Sequence, residues 1–394
     1  MTKFIPNRRA VLAGMAATLA TPALLRAADG PVKLATLTPM TGAGGSYGAS
    51  MRDVMLGVVK EVNAAGGVLG REIEVVSDDT QTSPEAAVRA ARKLIDVDGV
   101  AAIMGTWASS VTTAVAPLAW EGKTMLLCTS GSDSITQLPH QGYVVRTQPG
   151  SILQTTTSAT DLSKTGPKSV FWMGPQSPFA ETSIKINKEI FEKGGAKFSS
   201  LIYEADKSTY RSEVDTALRE KPDLIVFGGY ATDSTILLRD LWQAGYEGRI
   251  SAQAYAVNAG VIDSLPAEVT NGVITTAPAP ARGSAAYANA SKILGVEAAD
   301  PYSAQCYDHV NLVLLAMAKA GVATGEGVRD HLRDISQGDG TKVSSALEGL
   351  PLIAGGVNYE GASGSCTFNE KGDIQEMTML YAEIKDKKPV SIDL

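Results

Sequence analysis

From about residue 31 onward, short apolar runs alternate with longer stretches whose apolar residues recur every three or four positions. The short runs are rich in Val, Ile and Leu and bounded by glycine or acidic residues, the pattern of strands buried on both faces. In the first half they read VKLATL (32–37), EIEVVS (72–77), VAAIMG (100–105) and TMLLC (124–128), with helices expected near 47–64, 84–96 and 109–120. The second begins at Ser83-Pro84-Glu85: a capping hydroxyl, a proline suited to the first turn and an acid that favours the helix dipole. The second half repeats the plan, with strands SVFWMG (169–174), FSSLIY (198–203), DLIVFGG (223–229) and RISAQAY (249–255), and helices near 179–192, 210–219 and 232–244.

Strand–helix alternation of this kind implies parallel strands covered by helices on both faces, and two successive units imply two lobes. The expected fold class is therefore α/β. A long apolar helix over 302–320, a glycine-rich patch over 355–364 and a last strand over 378–384 follow. These must return to one unit or the other, so the domains are expected to be discontinuous. The polar, proline-bearing stretches 147–149 and 276–280 are the crossover candidates.

The first 28 residues are set apart. Asn7-Arg8-Arg9 precedes an Ala/Leu-rich run that ends near Ala27-Ala28, the layout of a twin-arginine-like export signal removed near Ala28. The run is too short and alanine-rich for a membrane span. Its four basic residues and no acid mean that removal takes the net charge from −7 to −11. Such a surface repels polyanions, so no nucleic-acid partner is expected. Three cysteines, Cys128, Cys306 and Cys366, exclude a disulfide framework and a four-cysteine metal site, leaving at most one bridge.

Enzyme signatures fail in turn. His140, His309 and His331 lack metal-ligand spacing, and neither a GxSxG elbow nor a Walker loop is present. Asp78-Asp79 ends a strand beside a capped helix, where turn formation accounts for both carboxylates. The loop Gly42-Ala43-Gly44-Gly45-Ser46-Tyr47-Gly48 resembles a dinucleotide fingerprint but puts Tyr47 where the third glycine belongs. No catalytic residue, metal or cofactor is assigned. What remains is a set of hydroxyls and aromatics at the starts of helices: Ser46-Tyr47, Trp107-Ala108-Ser109, Thr129-Ser130-Gly131-Ser132, Phe179 and Tyr230. Helix N-termini with serine hydroxyls hold carboxylates, and facing aromatics enclose an apolar body.

Taken in order, TPMTGAGGSYG, EVNAAGGVLGREIEVVSDDTQTSPEAAVRAARKLI, GTWASSVTTAVAP, DLIVFGGY and FNEKGD resemble the type I periplasmic solute-binding proteins, the branch with leucine/isoleucine/valine-binding proteins. The resemblance implies two doubly wound parallel-sheet lobes joined by three crossover strands, lobe 1 spanning 31–148 plus 278–372 and lobe 2 spanning 149–277 plus 373–394. It also implies a small-molecule ligand delivered to the membrane permease and ATPase subunits of an ABC transporter; a ligand sensor would share the fold. The family's first-loop aromatic falls on Tyr47, its carboxylate-binding serine on Ser109, and its fourth-strand contacts on Ser130, Gly131 and Ser132. The second-lobe aromatics fall on Phe179 and Tyr230. One departure stands out. Amino-acid binders carry an acid for the ligand's ammonium near the end of the second lobe's fourth strand, where this chain reads Ala252-Gln253-Ala254-Tyr255-Ala256. Trp107 adds a ring beside Ser109. The expected ligand is thus an aromatic or branched carboxylate without an α-ammonium, contacted also by Gln253 and Tyr255. Amino acids are the alternative if Asp233 or Glu181 supplies the charge.

Overall fold

The computed structural model describes residues 30–394; the export-signal assignment lies outside them. The first unit runs β1 (Val32–Thr38), α1 (Gly45–Ala64), β2 (Ile73–Asp79), α2 (Pro84–Arg92), β3 (Ala102–Thr106), α3 (Ser109–Glu121), β4 (Met125–Cys128) and β5 (Val144–Arg146). Its five strands pair in the order 2-1-3-4-5, all parallel. β3 and β4 are buried along their whole length, as continuous apolar runs require when helices cover both faces.

The second unit repeats the order. It contains α4 (Ser151–Lys164), β6 (Ser169–Pro175), α5 (Pro178–Lys193), β7 (Lys197–Tyr203), α6 (Arg211–Arg219), β8 (Leu224–Phe227), α7 (Ala231–Gln243), β9 (Arg249–Gln253) and β10 (Ile274–Pro278). The remainder is α8 (Ala285–Leu294), α9 (Pro301–Ala320), α10 (Gly325–Ser336), a small pair β11 (Thr341–Val343) and β12 (Val357–Tyr359), then β13 (Met379–Lys385) and β14 (Lys388–Ile392). The second sheet has the order 14-13-10-9-8-6-7. Its last two strands run antiparallel, so it is mixed rather than wholly parallel.

The chain passes between the sheets three times: after Arg146, after Pro278 and again before Met379. Residues 276–278, expected as crossover, are instead the end of β10, paired with β9 on one side and β13 on the other. The passage starts just beyond them. Helix α9 is buried nearly all round and packs against α1 and α10, which places it with the first sheet.

Helix starts follow one local grammar. Ser83 accepts from the Ala86 amide, Ser177 from Ala180, and Asp300 from Tyr302 and Ser303, each with proline in the first turn. Helix α4 escapes the sequence pattern because its buried face is Gln154, Thr155, Ser158, Ala159 and Leu162, too polar to register as an amphipathic period. All three cysteines are buried free thiols. Among the described residues no helix is long and apolar enough to cross a membrane.

Candidate functional site

The carboxyl ends of the strands in both sheets meet at a cluster of rings. Trp107, 6% exposed, stands at its centre. Its ring centroid lies 5.4 Å from Tyr230, 5.6 Å from Tyr255 and 5.7 Å from Tyr302, the last two edge-on. Tyr230 and Tyr255 come from the second unit yet pack against the first unit's core, so the rings join the two. Gly105 makes the approach possible. Its φ of +95° interrupts the β3–β4 register, and a Cβ there would lie 2.8 Å from the Thr38 methyl. On the facing wall, a Cβ at Gly228 would meet the Trp172 ring at 2.0 Å, so only glycine lets the chain leave β8 there.

Beside the rings lies a narrow cavity of about 40 Å³. Its walls include Trp107, Phe179, Tyr230, Tyr255 and Tyr302, with Ser109, Thr129, Gly131, Gln148 and Gln154 as the polar side. Among the described residues, no Asp, Glu, Lys, Arg or His lines it. Burial pushes the Tyr230 phenol up to about 12, and those of Tyr255 and Tyr302 upward as well, so these rings stay neutral hydrogen-bond donors.

The polar end is a helix start. Ala108, at the head of α3, offers no side-chain cap, so the first-turn amides lack that partner. The Ser109 hydroxyl accepts from the Ser132 amide at 3.2 Å, which leaves its own proton available to a ligand. Dipole, amides and hydroxyl together suit a carboxylate without any cation.

Of the ten residues singled out from sequence, Trp107, Ser109, Gly131, Phe179, Tyr230 and Tyr255 line this cavity, and Tyr47, Ser130, Ser132 and Gln253 do not. Ser130 donates to the Trp107 carbonyl at 2.8 Å and fixes that turn from behind. The Ser132 hydroxyl pairs with Ser134. Gln253 lines a smaller adjoining cavity that shares Phe179. Tyr47 stands behind Trp107, 6.1 Å from it and 5.1 Å edge-on from Tyr302. A residue supporting the wall acts more weakly than the wall itself. Tyr47→Ala should therefore weaken ligand binding about threefold to tenfold, the worth of one aromatic pair, and shift the melting temperature little; titration calorimetry and a thermal melt check both halves.

Thr129, named with the hydroxyls after the fourth strand, also lines the cavity; Tyr302, Gln148 and Gln154 were not singled out. Tyr302 follows Asp300-Pro301 at a helix start, the grammar that flagged Phe179, and could have been found the same way. The two glutamines carry no local signal. Asp233 and Glu181 do not reach the cavity. Asp233 accepts from the Tyr210 hydroxyl at 2.5 Å and the Asp206 amide at 3.2 Å, and burial raises its carboxyl. Glu181 is exposed and accepts from Gln176. Asp79 accepts from the Thr41 and Gln81 amides and the Thr41 hydroxyl, the turn role expected of it.

Behind the cavity, Arg146 is 1% exposed and ties three segments together. It donates to Asp373 at 2.7 Å, to Asp133 at 2.9 Å and to the Gly131 carbonyl at 2.9 Å. Asp133 in turn accepts from the Ser151 hydroxyl and the Ile152 amide, capping α4 from outside. The loop after β4, two of the three passages and the start of α4 are thus one network.

Two lobes of repeated α/β order, three passages between them and an uncharged aromatic cavity at the strand ends define a two-lobed ligand-binding protein. The sequence profile of the periplasmic binding protein family matches residues 31–387, and the chain belongs to that family. It is 24% identical over 361 residues to a leucine-, isoleucine-, valine-, threonine- and alanine-binding protein of Pseudomonas aeruginosa, covering 89% of each chain. A leucine binding protein from Thermotoga maritima superposes with a TM-score of 0.78 at 23% identity, covering 92% of this chain and 97% of that one. A solute binding protein of an ABC transporter from Rhodopseudomonas palustris, solved with 3,4-dihydroxybenzoic acid, superposes at 0.73 with 21% identity, covering 92% and 96%.

Proposed function

We propose that this chain is the periplasmic substrate-binding component of an ABC importer. Its lobes, residues 31–148 plus 278–372 and 149–277 plus 373–394, close on an aromatic or branched carboxylate without an α-ammonium and present it to the permease and ATPase subunits. One observation carries the ligand class: the cavity is walled by five aromatic rings and lined by no charged side chain among the described residues. A carboxylate is provided for by the start of α3 and the Ser109 hydroxyl. An ammonium would be buried with no counter-charge, which costs several kcal/mol. Asp233, three residues after the cavity ring Tyr230, is already committed to Tyr210 and Asp206. That the same fold holds a dihydroxybenzoate in one structural relative agrees with this reading, while other relatives are named for branched-chain amino acids.

A thermal-shift panel tests the proposal. Benzoate, 3-phenylpropanoate and branched 2-oxo acids should include compounds that raise the melting temperature by several degrees at saturating concentration, since a ligand at 1,000 times its Kd stabilises by about 4 kcal/mol. Leucine and valine should leave it unchanged. Stabilisation by the amino acids and not by the acids would overturn the ligand class.

A further inference from the structure

Gln148 lies in the first passage between the lobes, 5% exposed, and lines the cavity. Its Oε1 accepts a hydrogen bond from Nε2 of Gln305 on α9. Gln305 is 2% exposed, and its own Oε1 has no partner. The two amides form a pair that can be written in two senses, because turning both over preserves one hydrogen bond. The senses differ in what they leave behind. As placed, a lone carbonyl oxygen of Gln305 is left unpaired; turned over, a buried NH2 with two donors would be. Buried orphan N–H groups are much the rarer. The pair is therefore held with the Gln148 oxygen spent on Gln305, and the Gln148 NH2 is the end left for the cavity.

The backbone carries Gln148 to the polar end of the cavity. The Thr147 amide donates to the Cys128 carbonyl, which sets Gln148 beside Thr129. Thr129, Gly131 and Ser109 form the polar end of the cavity. Gln154, the other amide there, spends its Nε2 on the Pro149 carbonyl at 2.6 Å. Gln148 is then a neutral donor placed next to the carboxylate position.

Building on the carboxylate reading above, we propose that Gln148 reads a second oxygen acceptor adjacent to the ligand's carboxylate, so that the preferred ligands are 2-oxo acids, and that Gln305 is a positioning residue fixing the sense of the Gln148 amide. A 2-oxo group accepts from the NH2. A 2-ammonio group presents a donor to a donor and carries an uncompensated charge, and a plain methylene leaves the NH2 unsatisfied.

Titration calorimetry with three compounds of one skeleton tests this: phenylpyruvate, 3-phenylpropanoate and phenylalanine. The full-length mature chain should bind phenylpyruvate about tenfold more tightly than 3-phenylpropanoate, the worth of one hydrogen bond with its donor otherwise unpaired. Phenylalanine should bind weakest. Gln148→Met should bring the first two to within about twofold, chiefly by weakening phenylpyruvate. If Gln148→Met does not fold, Gln148→Asn, which withdraws the amide by one methylene, must shrink the same ratio. Gln305→Met should also shrink the ratio, whereas a merely structural role would weaken both acids equally. Equal affinities in the native chain, or a ratio that survives the Gln148 variants, would sink the inference and leave the carboxylate reading standing. Tightest binding of phenylalanine, or no binding of any of the three, would remove both.

Discussion

Trp107→Leu should lower affinity for the ligand by about tenfold to a hundredfold and leave the chain folded. Trp107 begins in the turn after β3 and reaches across to Tyr230 and Tyr255 at 5.4 and 5.6 Å. Each such pair is worth about 0.5–1.5 kcal/mol beyond the area it buries. Two of them cross between the lobes, so leucine removes about 1–3 kcal/mol from the arrangement in which the lobes are together. A ligand that needs that arrangement must then supply the difference from its own binding energy. Leucine still fills part of the space against Gly44 and Tyr302, so the loss falls mainly on closure. Calorimetry with the best acid from the panel gives the affinity, and small-angle scattering of the unliganded variant should report a larger radius of gyration than the native chain. An affinity within twofold of native would show that the ring is core filling and nothing more.

Most of the fold is legible in the sequence because parallel strands buried on both faces are written as continuous apolar runs. Every run named from the pattern is a strand, with ends moved by a residue or two. The clearest misreading of an end is RISAQAY, where the strand stops at Gln253 and Tyr255 stands in the turn beyond, facing the cavity. What the pattern misses, it misses for physical reasons. Helix α4 buries threonine, serine and glutamine rather than leucine, and β5 is three residues long. The antiparallel edge strand β14 exposes most of its side chains. The site divides in the same way. Helix-start aromatics and hydroxyls are visible because capping imposes a local grammar. Ser130 and Ser132 obey that grammar but use their hydroxyls to hold neighbouring turns. Gln148 and Gln305, 157 residues apart, meet only through the tertiary fold, and nothing local announces them.

The largest effect on stability is expected at Arg146, which no motif singles out. Arg146→Met should destabilise the chain by about 3–5 kcal/mol, because it removes the cation that compensates Asp133 and Asp373 in a mostly buried network. The arginine side chain is 1% exposed, whereas the two carboxylates are 17% and 19% exposed, so water can recover only part of the loss. The Gly131 carbonyl loses one donor but keeps the Ser151 amide. Asp133 keeps its cap on α4 through Ser151 and Ile152, so the helix start itself should survive. The damage is therefore electrostatic more than geometric, and that yields a sharper test. The triple variant Arg146→Met, Asp133→Asn, Asp373→Asn has no charge left to compensate. It should recover at least half of the lost stability in urea unfolding, since replacing a whole buried ion cluster costs far less than breaking one. If the triple variant is less stable than Arg146→Met alone, the carboxylates act chiefly as hydrogen-bond acceptors for Ser151 and Ile152 and for the turn at Asn369. The network would then hold the passages between the lobes by geometry and not by charge.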